Sequence, residues 1–243
     1  MDLSAELARL GSELQVRTSH RHSTWAGTFR SFPEAFIQPV SIDQLREVVK
    51  VAARLRRRIC VTGCGHSPSD LTCTSKILIN LDRLETPFHL DDDGLVTMSA
   101  GIRLRELNKR LAAHGFAMPN IGSIDEQSIA GAIATSTHGS SLFHGILSQN
   151  IREIKIMLAN GDIRSCSEDE NVDLFRAALV SLGVLGIVVE VKFQSVPAFN
   201  IEWEQTLLPV EEILSDWDED LWTAYEYTRW VGHAFSLLSM SLL

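Results

Sequence analysis

A short glycine-rich segment places a histidine and several hydroxyl groups where they can act on a ligand. Residues 62–69, Thr-Gly-Cys-Gly-His-Ser-Pro-Ser, follow an apolar run at 59–62 that has the length of a buried strand. Gly63 and Gly65 let the backbone turn tightly, so that consecutive N–H groups can converge on an anion. The segment lacks the Gly-Lys-Ser/Thr ending of a Walker A loop. Two interpretations remain open from these residues alone, an anion cradle and an ordinary tight loop with a surface His66.

A second segment, residues 120–141, is rich in Gly, Ser, Thr and Ala and carries few bulky side chains. Small residues let a flat or charged ligand approach the backbone, and residues 128–135 fit a short helix whose N-terminus would face a phosphate. A flexible linker is the alternative, but a linker would not carry four apolar side chains that need burial: Ile121, Ile124, Ile129 and Ile133. A catalytic acid pair at Asp125 and Glu126 is disfavoured, because adjacent residues on an irregular loop point apart.

A third glycine-containing segment, Leu-Gly-Val-Leu-Gly-Ile-Val, covers residues 182–188. Taken alone, it predicts only a helix end that leads into a strand. None of the three segments by itself is specific for one kind of protein, whereas their order along the chain is.

Helices and strands predicted from hydrophobic periodicity must position these segments. Ser41 and Gln44 fit a capping box, and Asn160-Gly161 predicts a tight hairpin turn. The predicted helices cover residues 41–55, 103–114 and 172–182, and the predicted strands cover 59–62, 77–81, 95–99, 151–159, 162–167, 187–196 and 224–230. Residues 1–24 are expected to be a loosely held polar lead-in. Because hairpins and helices occur without regular strand–helix–strand alternation, the pattern favours an α+β fold over a doubly wound sheet.

The composition is that of a folded soluble protein. Apolar residues make up 45% of the 243 residues, and the net charge is −9, from 22 Lys+Arg and 31 Asp+Glu. This acidic balance disfavours a general nucleic-acid binder, and the basic run at 54–58 is expected to be a solvated helix end.

The same sequence favours an intracellular protein without metal. No stretch reaches the ~20 apolar residues of a membrane span, and the N-terminus does not fit a signal peptide. The cysteines lack zinc-site spacing and are expected to be reduced thiols, and no metal site is predicted; they are Cys60, Cys64, Cys73 and Cys166.

In their order, the motifs resemble the vanillyl-alcohol-oxidase or PCMH-type FAD-binding family. They are Gly-x-Gly-His-Ser at 63–67, Ala-Gly at 100–101 before a helix, Gly-Ser…Gly…Thr-x-x-His-Gly at 122–139, and Leu-Gly-x-Leu-Gly-Ile at 182–187. Within this family the chain is most similar to the sugar-1,4-lactone oxidases, the aldonolactone oxidase group, from about residue 24 to residue 230. Cys64 stands where the family usually has Ser, and since both residues are small, FAD binding should survive.

The resemblance implies FAD as the cofactor and assigns roles to the matching residues. Residues 62–67 would wrap the pyrophosphate, and a ring nitrogen of His66 would be bonded to the 8α carbon of the isoalloxazine ring, which suits a neutral imidazole nucleophile. Ser123 would lie near the reactive face of the flavin, so that His66 and Ser123 are the implied catalytic residues. The full implied cofactor-binding set is Thr62, Gly63, Cys64, Gly65, His66, Ser67, Gly101, Gly122, Ser123, Gly131, Thr135, His138, Gly139, Ile187 and Val188.

The resemblance also implies a division into domains. Residues 1–23 would be the lead-in, residues 24–197 a PCMH-type FAD-binding domain of two α+β subdomains, and residues 198–243 part of an α+β substrate domain. The sequence diverges from the family at about residue 231. Because family members continue for roughly as long again, we expect a C-terminally truncated chain whose tail at 231–243 is unrelated sequence or a short amphipathic helix.

The implied reaction is oxidation of a sugar-1,4-lactone of the D-arabinono-1,4-lactone type. Hydride would pass to flavin N5, with O2 as the final acceptor and H2O2 as product, in ascorbate or erythroascorbate synthesis. A flavin-binding remnant without turnover, or an interaction module, is the alternative. The family further implies a mitochondrial, peripherally membrane-associated location, with the cytoplasm as the alternative.

Overall fold

The computed structural model describes residues 2–215, 217, 222–232 and 238–242. Its α-helices are α1 (Leu3–Ala8), α2 (Ile42–Arg54), α3 (Leu104–Ala112), α4 (Ile129–Ala134), α5 (Val172–Ala178) and α6 (Val210–Ser215). Its strands are β1 (Gln15–Arg17), β2 (His22–Ser23), β3 (Arg30–Ser31), β4 (Ala35–Gln38), β5 (Ile59–Thr62), β6 (Ile77–Asn80), β7 (His89–Leu90), β8 (Leu95–Ser99), β9 (Phe116–Ala117), β10 (Ile151–Met157), β11 (Ile163–Ser167), β12 (Ile187–Gln194), β13 (Val196–Pro197), β14 (Glu204–Leu208), β15 (Thr228–Gly232) and β16 (Leu238–Leu242).

The first part of the chain folds around a four-stranded sheet in the order β1-β4-β6-β5. Strands β4, β6 and β5 are parallel, and β1 pairs with β4 in the antiparallel direction. Helix α2 connects β4 to β5 and buries Leu45, Val48 and Ala52. The α+β class is confirmed, and this half contains one strand–helix–strand crossover, β4-α2-β5.

The predicted cap of α2 forms with a small difference. The Ser41 hydroxyl accepts a hydrogen bond from the Gln44 N–H at 3.2 Å. The Gln44 side chain reaches back to the N–H of Val40 at 2.9 Å, one residue before the position expected for a capping box. Two backbone donors at the helix start are satisfied in this way.

The N-terminal lead-in is firmly held, contrary to expectation. Leu3, Leu7 and Leu14 are buried in the hydrophobic core, and β1 adds a strand to the first sheet. The carboxylate of Glu6 is bonded by Arg9 at 2.6 Å and by Arg54 of α2. The polar composition concealed this attachment, because three spaced leucines are sufficient to anchor so short a segment.

The second sheet, β11-β10-β12-β8-β7, is antiparallel throughout. In β12 the side chains of Ile187, Val189, Val191 and Phe193 are buried and alternate with more accessible residues, as predicted. The predicted β10–β11 hairpin is confirmed, with Gly161 at φ +86° in its turn. Helix α5 ends at Ala178, four residues before the predicted end at residue 182. The chain then turns at Leu182 and Gly183, which have φ +51° and +75°.

The C-terminal residues begin another small sheet in the order β14-β16-β15. The strand predicted for residues 224–230 starts only at Thr228, after irregular backbone at 224–227. The suggested terminal helix is wrong for residues 238–242, which form β16; residues 233–237 and 243 lie outside the described part. Strand β13 pairs with β9 of the preceding part of the chain. The predicted domain boundaries remain predictions. Within the described ranges, no helix has both the length and the apolar character to cross a membrane.

Candidate functional site

A cavity of about 570 Å³ opens where the end of β5, helix α4 and the start of β12 meet. Its volume lies in the range of sites for small molecules and cofactors. The walls include the loop after β5, the small residues of α4 and the segment 181–188. The three glycine-containing segments of the sequence therefore contribute to one cavity.

The loop after β5 presents backbone donors without protein acceptors. Within the described ranges, the N–H groups of residues 63–67 donate no hydrogen bond. The carbonyls of Thr62 and Gly63 are held by the side-chain amide of Asn80, at 3.2 and 3.4 Å. Asn80 lines a smaller cavity of about 180 Å³ behind the loop and not the 570 Å³ cavity. Because the carbonyls are engaged on that side, the N–H groups are left for an anion.

Close backbone approaches at the cavity explain several of its glycines. A Cβ added to Gly63 would lie 2.7 Å from the hydroxyl oxygen of Ser128, and one added to Gly101 would overlap the carbonyl oxygen of Leu81. Gly186, with φ +153°, would bring a Cβ to 2.5 Å from the carbonyl oxygen of Met157. These contacts require residues without a side chain.

His66 lines the cavity from the turn of this loop, half-buried. Its imidazole stacks on the indole of Trp25, with ring centroids 4.6 Å apart and an interplanar angle of 16°. Neither ring nitrogen of His66 has a hydrogen-bond partner among the residues that the structure describes. Both nitrogens are therefore available to a ligand.

The arginines of the basic run are exposed, as expected for a solvated helix end, and two of them also lie at the cavity wall. Arg57 and Arg58 both line the cavity. Arg57 also forms an ion pair with Glu34 at 3.2 Å, whereas Arg58 has no ion pair within the described part of the chain. Burial raises the pKa of the neighbouring Cys60 thiol, and the Arg58 charge partly offsets that rise. The wall thus has positive charge for an anionic ligand.

Eleven of the fifteen predicted cofactor residues line this cavity. They are Thr62, Gly63, Cys64, Gly65, His66, Ser67, Gly101, Gly131, Thr135, Ile187 and Val188. They come from segments far apart in the chain, so that only the fold brings them together.

The other four predicted residues lie outside the cavity wall, on two loop segments that pack against each other. A Cβ on Gly122 would be 3.3 Å from the carbonyl oxygen of His138, and one on Gly139 would overlap the side chain of Asn120. Ser123 and His138 are exposed to solvent. The roles predicted for these residues remain predictions: Gly122, Ser123, His138 and Gly139.

The phosphate site predicted at the N-terminus of α4 remains a prediction. The helix begins after Ser128 as expected, and its first two N–H groups are already used within the protein. Ile129 donates to the carbonyl of Ile102 at 3.0 Å, and Ala130 donates to that of Ala100 at 3.2 Å. Nearby, Glu126 pairs with Arg105, so that Asp125 and Glu126 do not form an acid pair.

Three residues of the site had no role in the sequence interpretation. Asn80 orients the loop carbonyls, Trp25 stacks on His66, and Ser128 places a hydroxyl with no described hydrogen-bond partner on the cavity wall. A signal for Asn80 was available, because a polar residue at the carboxyl end of a buried strand commonly serves a neighbouring loop.

The donor set fits a dinucleotide pyrophosphate. The free N–H groups of residues 63–67, the Ser128 hydroxyl and the Arg58 guanidinium all suit an anion. Apolar side chains of Val49, Leu185 and Val188 line other parts of the wall, where they suit a flat ring. Among the described residues, no cluster of three His, Cys, Asp or Glu side chains is arranged to hold a metal ion.

Comparison with known proteins identifies the cavity-forming part of the chain. A family model described as an FAD binding domain matches residues 33–167, more than half of the chain. The match includes β4 to β11, and with them the loop of His66 and helix α4.

Curated fungal proteins are similar over almost the whole chain. D-arabinono-1,4-lactone oxidase of Yarrowia lipolytica is 49% identical over 93% of this chain and 44% of its own length. The protein of the same name from Candida albicans is 40% identical over 86% of this chain and 40% of its own length. The chain therefore spans about two fifths of these relatives.

Solved structures share the fold at low sequence identity. Cholesterol oxidase from B. sterolicum superposes with a TM-score of 0.84 at 17% identity, over 95% of this chain and 48% of that one. Glucooligosaccharide oxidase from Acremonium strictum, described with a 6-S-cysteinyl, 8α-N1-histidyl FAD, has a TM-score of 0.82 at 20% identity, over 98% and 54%. On the match across more than half of its length, this chain belongs to the FAD binding domain family.

Proposed function

We propose that this chain forms the FAD-binding part of an oxidoreductase that oxidises a sugar-1,4-lactone of the D-arabinono-1,4-lactone type. The observation that carries the proposal is the convergence of the free N–H groups of residues 63–67 and the imidazole of His66 on one cavity. Relatives at 40–49% identity that bear the name D-arabinono-1,4-lactone oxidase support the substrate class. When bound, FAD supplies a two-electron acceptor that O2 reoxidises, giving H2O2.

The residues of the chain bind and orient the cofactor. The N–H groups after β5 and the Ser128 hydroxyl hold the pyrophosphate, while Arg58 contributes positive charge. The segment 182–188 also lines the cavity. Ser123, which is exposed to solvent, is proposed to face the lactone.

His66 is proposed to bond covalently to the 8α carbon of the isoalloxazine ring. With FAD bound, a ring nitrogen of His66 would form the C–N bond as one hydrogen is lost from the 8α methyl group and one from the imidazole N–H. O2 would take up these two hydrogens, with their electrons, as H2O2. Both His66 nitrogens lack protein partners in the described part, and a histidyl linkage is described for the glucooligosaccharide oxidase, which shares the fold.

Three finer assignments complete the proposal. They are participation in ascorbate or erythroascorbate synthesis, residence in the mitochondrion, and peripheral association with a membrane. The same fungal relatives are the support for the first.

A second candidate is a flavin-binding chain without turnover, or an interaction module. Peroxide formation separates the two candidates.

The test begins with the purified chain. After incubation with FAD in air and precipitation with acid, yellow colour should remain with the protein, and His66→Ala should abolish it. His89→Ala, which removes an exposed histidine of β7, is the matched control and should keep the colour. Peroxide release with D-arabinono-1,4-lactone then supports the oxidase, and its absence supports the candidate without turnover. Colour that His66→Ala retains would refute the covalent link.

A further inference from the structure

We propose that Trp25 is a positioning residue that holds the His66 imidazole in the orientation needed for its bond to the flavin. This inference rests on the proposed covalent function of His66. It adds that an aromatic side chain from a separate hairpin, β2–β3, sets the direction of the histidine ring. No ring other than the indole of Trp25 stacks on His66 among the described residues.

Little besides Trp25 orients the imidazole of His66. Its ring nitrogens accept and donate no hydrogen bond within the described ranges, and it has no ion pair there. A half-buried histidine without such partners is free to change rotamer. The near-parallel indole at 4.6 Å restricts the ring to one plane.

The β2–β3 hairpin is itself fixed to the loop of His66. The Trp25 N–H donates to the carbonyl oxygen of Gly65 at 2.8 Å. The hydroxyl of Thr28 donates to the carbonyl oxygen of Pro68 at 3.0 Å. These contacts, one before and one after His66 in the loop, therefore keep the indole positioned against the imidazole.

The backbone of Gly65 leaves no room between hairpin and loop. A Cβ added there would lie 3.3 Å from the carbonyl oxygen of Ser23 and 3.4 Å from Cε1 of His22. The buried His22 is in turn held by Thr72 at 2.9 Å. The Gly-x-Gly-His loop is thus packed between the cavity on one face and the hairpin on the other.

The indole of Trp25 lies largely in solvent. An indole that is 73% exposed contributes little to core stability, so that packing of the hydrophobic core does not explain its place. Its substitution should affect the orientation of His66 more than the fold.

The decisive experiment follows FAD incorporation in air over time, measuring total bound FAD and acid-stable FAD separately. Trp25→Ala should bind FAD to within about twofold of the unchanged chain, while the rate of acid-stable incorporation falls on the order of tenfold or more, because misplacement of a reacting group is costly. Trp25→Phe should restore most of the rate, since a phenyl ring still stacks. Trp203→Ala, which removes another highly exposed indole, is the control and should change neither quantity.

A measurement without flavin tests the stack directly. In the purified chain before FAD is added, His66→Ala should change tryptophan fluorescence, and the same substitution in a Trp25→Phe background should not. Thermal melting of each variant identifies any that fail to fold.

Each outcome separates the inference from the proposed function. Acid-stable incorporation at an unchanged rate in Trp25→Ala overturns the inference alone, as does an equal loss of total and acid-stable FAD. Fluorescence that responds to His66→Ala equally in both backgrounds also overturns it. A chain with no acid-stable FAD at all refutes the proposed covalent function, and the inference with it.

Discussion

Single residues around the cavity act by their small size as much as by their chemistry. Gly63 leaves room for the Ser128 hydroxyl, and Gly101 leaves room for the carbonyl of Leu81. The side chains that remain, His66 and Ser128, both line the cavity and are therefore able to reach a ligand. The chemistry of the site therefore depends both on glycines, which allow close approach, and on the two side chains that can contact a ligand.

Cys166 gives a prediction of pH dependence at the residue scale. It is fully buried in β11, and burial, with smaller contributions from Glu153 and Glu170, raises the pKa of its thiol from 9.0 to about 11. Since the pKa in the folded chain is the higher one, the thiol's contribution to stability is complete below pH 9 and is lost as pH rises toward about 11.

The measurement compares the unfolding free energy of the unchanged chain and Cys166→Ala at pH 8 and at pH 11. The stability of the unchanged chain relative to the variant should decrease between these values. Iodoacetamide should also leave Cys166 unmodified at pH 8 until the chain is unfolded. A difference in stability that does not depend on pH would contradict the prediction.

At the scale of secondary structure, parallel strand pairing creates the anion loop. Thr62 of β5 lies opposite Asn80 of β6, so that both strands end at the same edge of the sheet. The side-chain N–H groups of Asn80 can therefore donate to the backbone carbonyls of Thr62 and Gly63. The side-chain oxygen of Asn80 accepts from the Gln38 amide at 2.8 Å and from the Asp82 N–H at 3.1 Å. The loop conformation is thus set by the neighbouring strand.

Asn80→Asp is predicted to disrupt this loop. The change replaces the amide donor by a carboxylate oxygen facing two carbonyls, and leaving buried polar groups unsatisfied costs about 1–3 kcal/mol of unfolding free energy. We expect that loss in urea unfolding, together with at least tenfold weaker FAD binding. Asn200→Asp makes the same change at an exposed position and should have little effect. Unchanged FAD affinity in Asn80→Asp would show that the loop keeps its form without the amide.

At the scale of the whole molecule, apolar side chains remain on the surface. Leu142 and Phe143 are 67% and 60% exposed in the segment before His144, and Leu207 of β14 is 59% exposed. Side chains of this kind that cluster on a surface commonly mark places of association. The His144–Glu226 contact, at 2.8 Å, joins the segment of Leu142 and Phe143 to the irregular backbone before β15.

We predict that the purified chain self-associates with increasing concentration. Light scattering coupled to gel filtration should show a mass that rises with concentration, and Leu142→Ser together with Phe143→Ser should reduce that rise. Ser140→Ala, at an exposed position of the same segment, is the control. A monodisperse monomer that binds hydrophobic dyes weakly would contradict the prediction.

The sequence by itself determined the elements whose signals are local. The strands at 59–62 and 95–99, the capped helix after Ser41 and the hairpin around Gly161 follow from residues near each other in the chain. The family motifs likewise identified the loop of His66 and the FAD binding domain class. Each of these signals is carried by side-chain periodicity or by glycine, which act over a few residues.

Only the tertiary structure decided which distant residues meet. It turned the polar lead-in into part of the core, used the first N–H groups of α4 within the protein, and placed Gly122, Ser123, His138 and Gly139 outside the cavity. It also brought Trp25 onto His66 and Asn80 behind the loop. The physical reason is that backbone donors are satisfied, and aromatic rings stacked, by whatever group the fold places next to them, which local spacing does not encode.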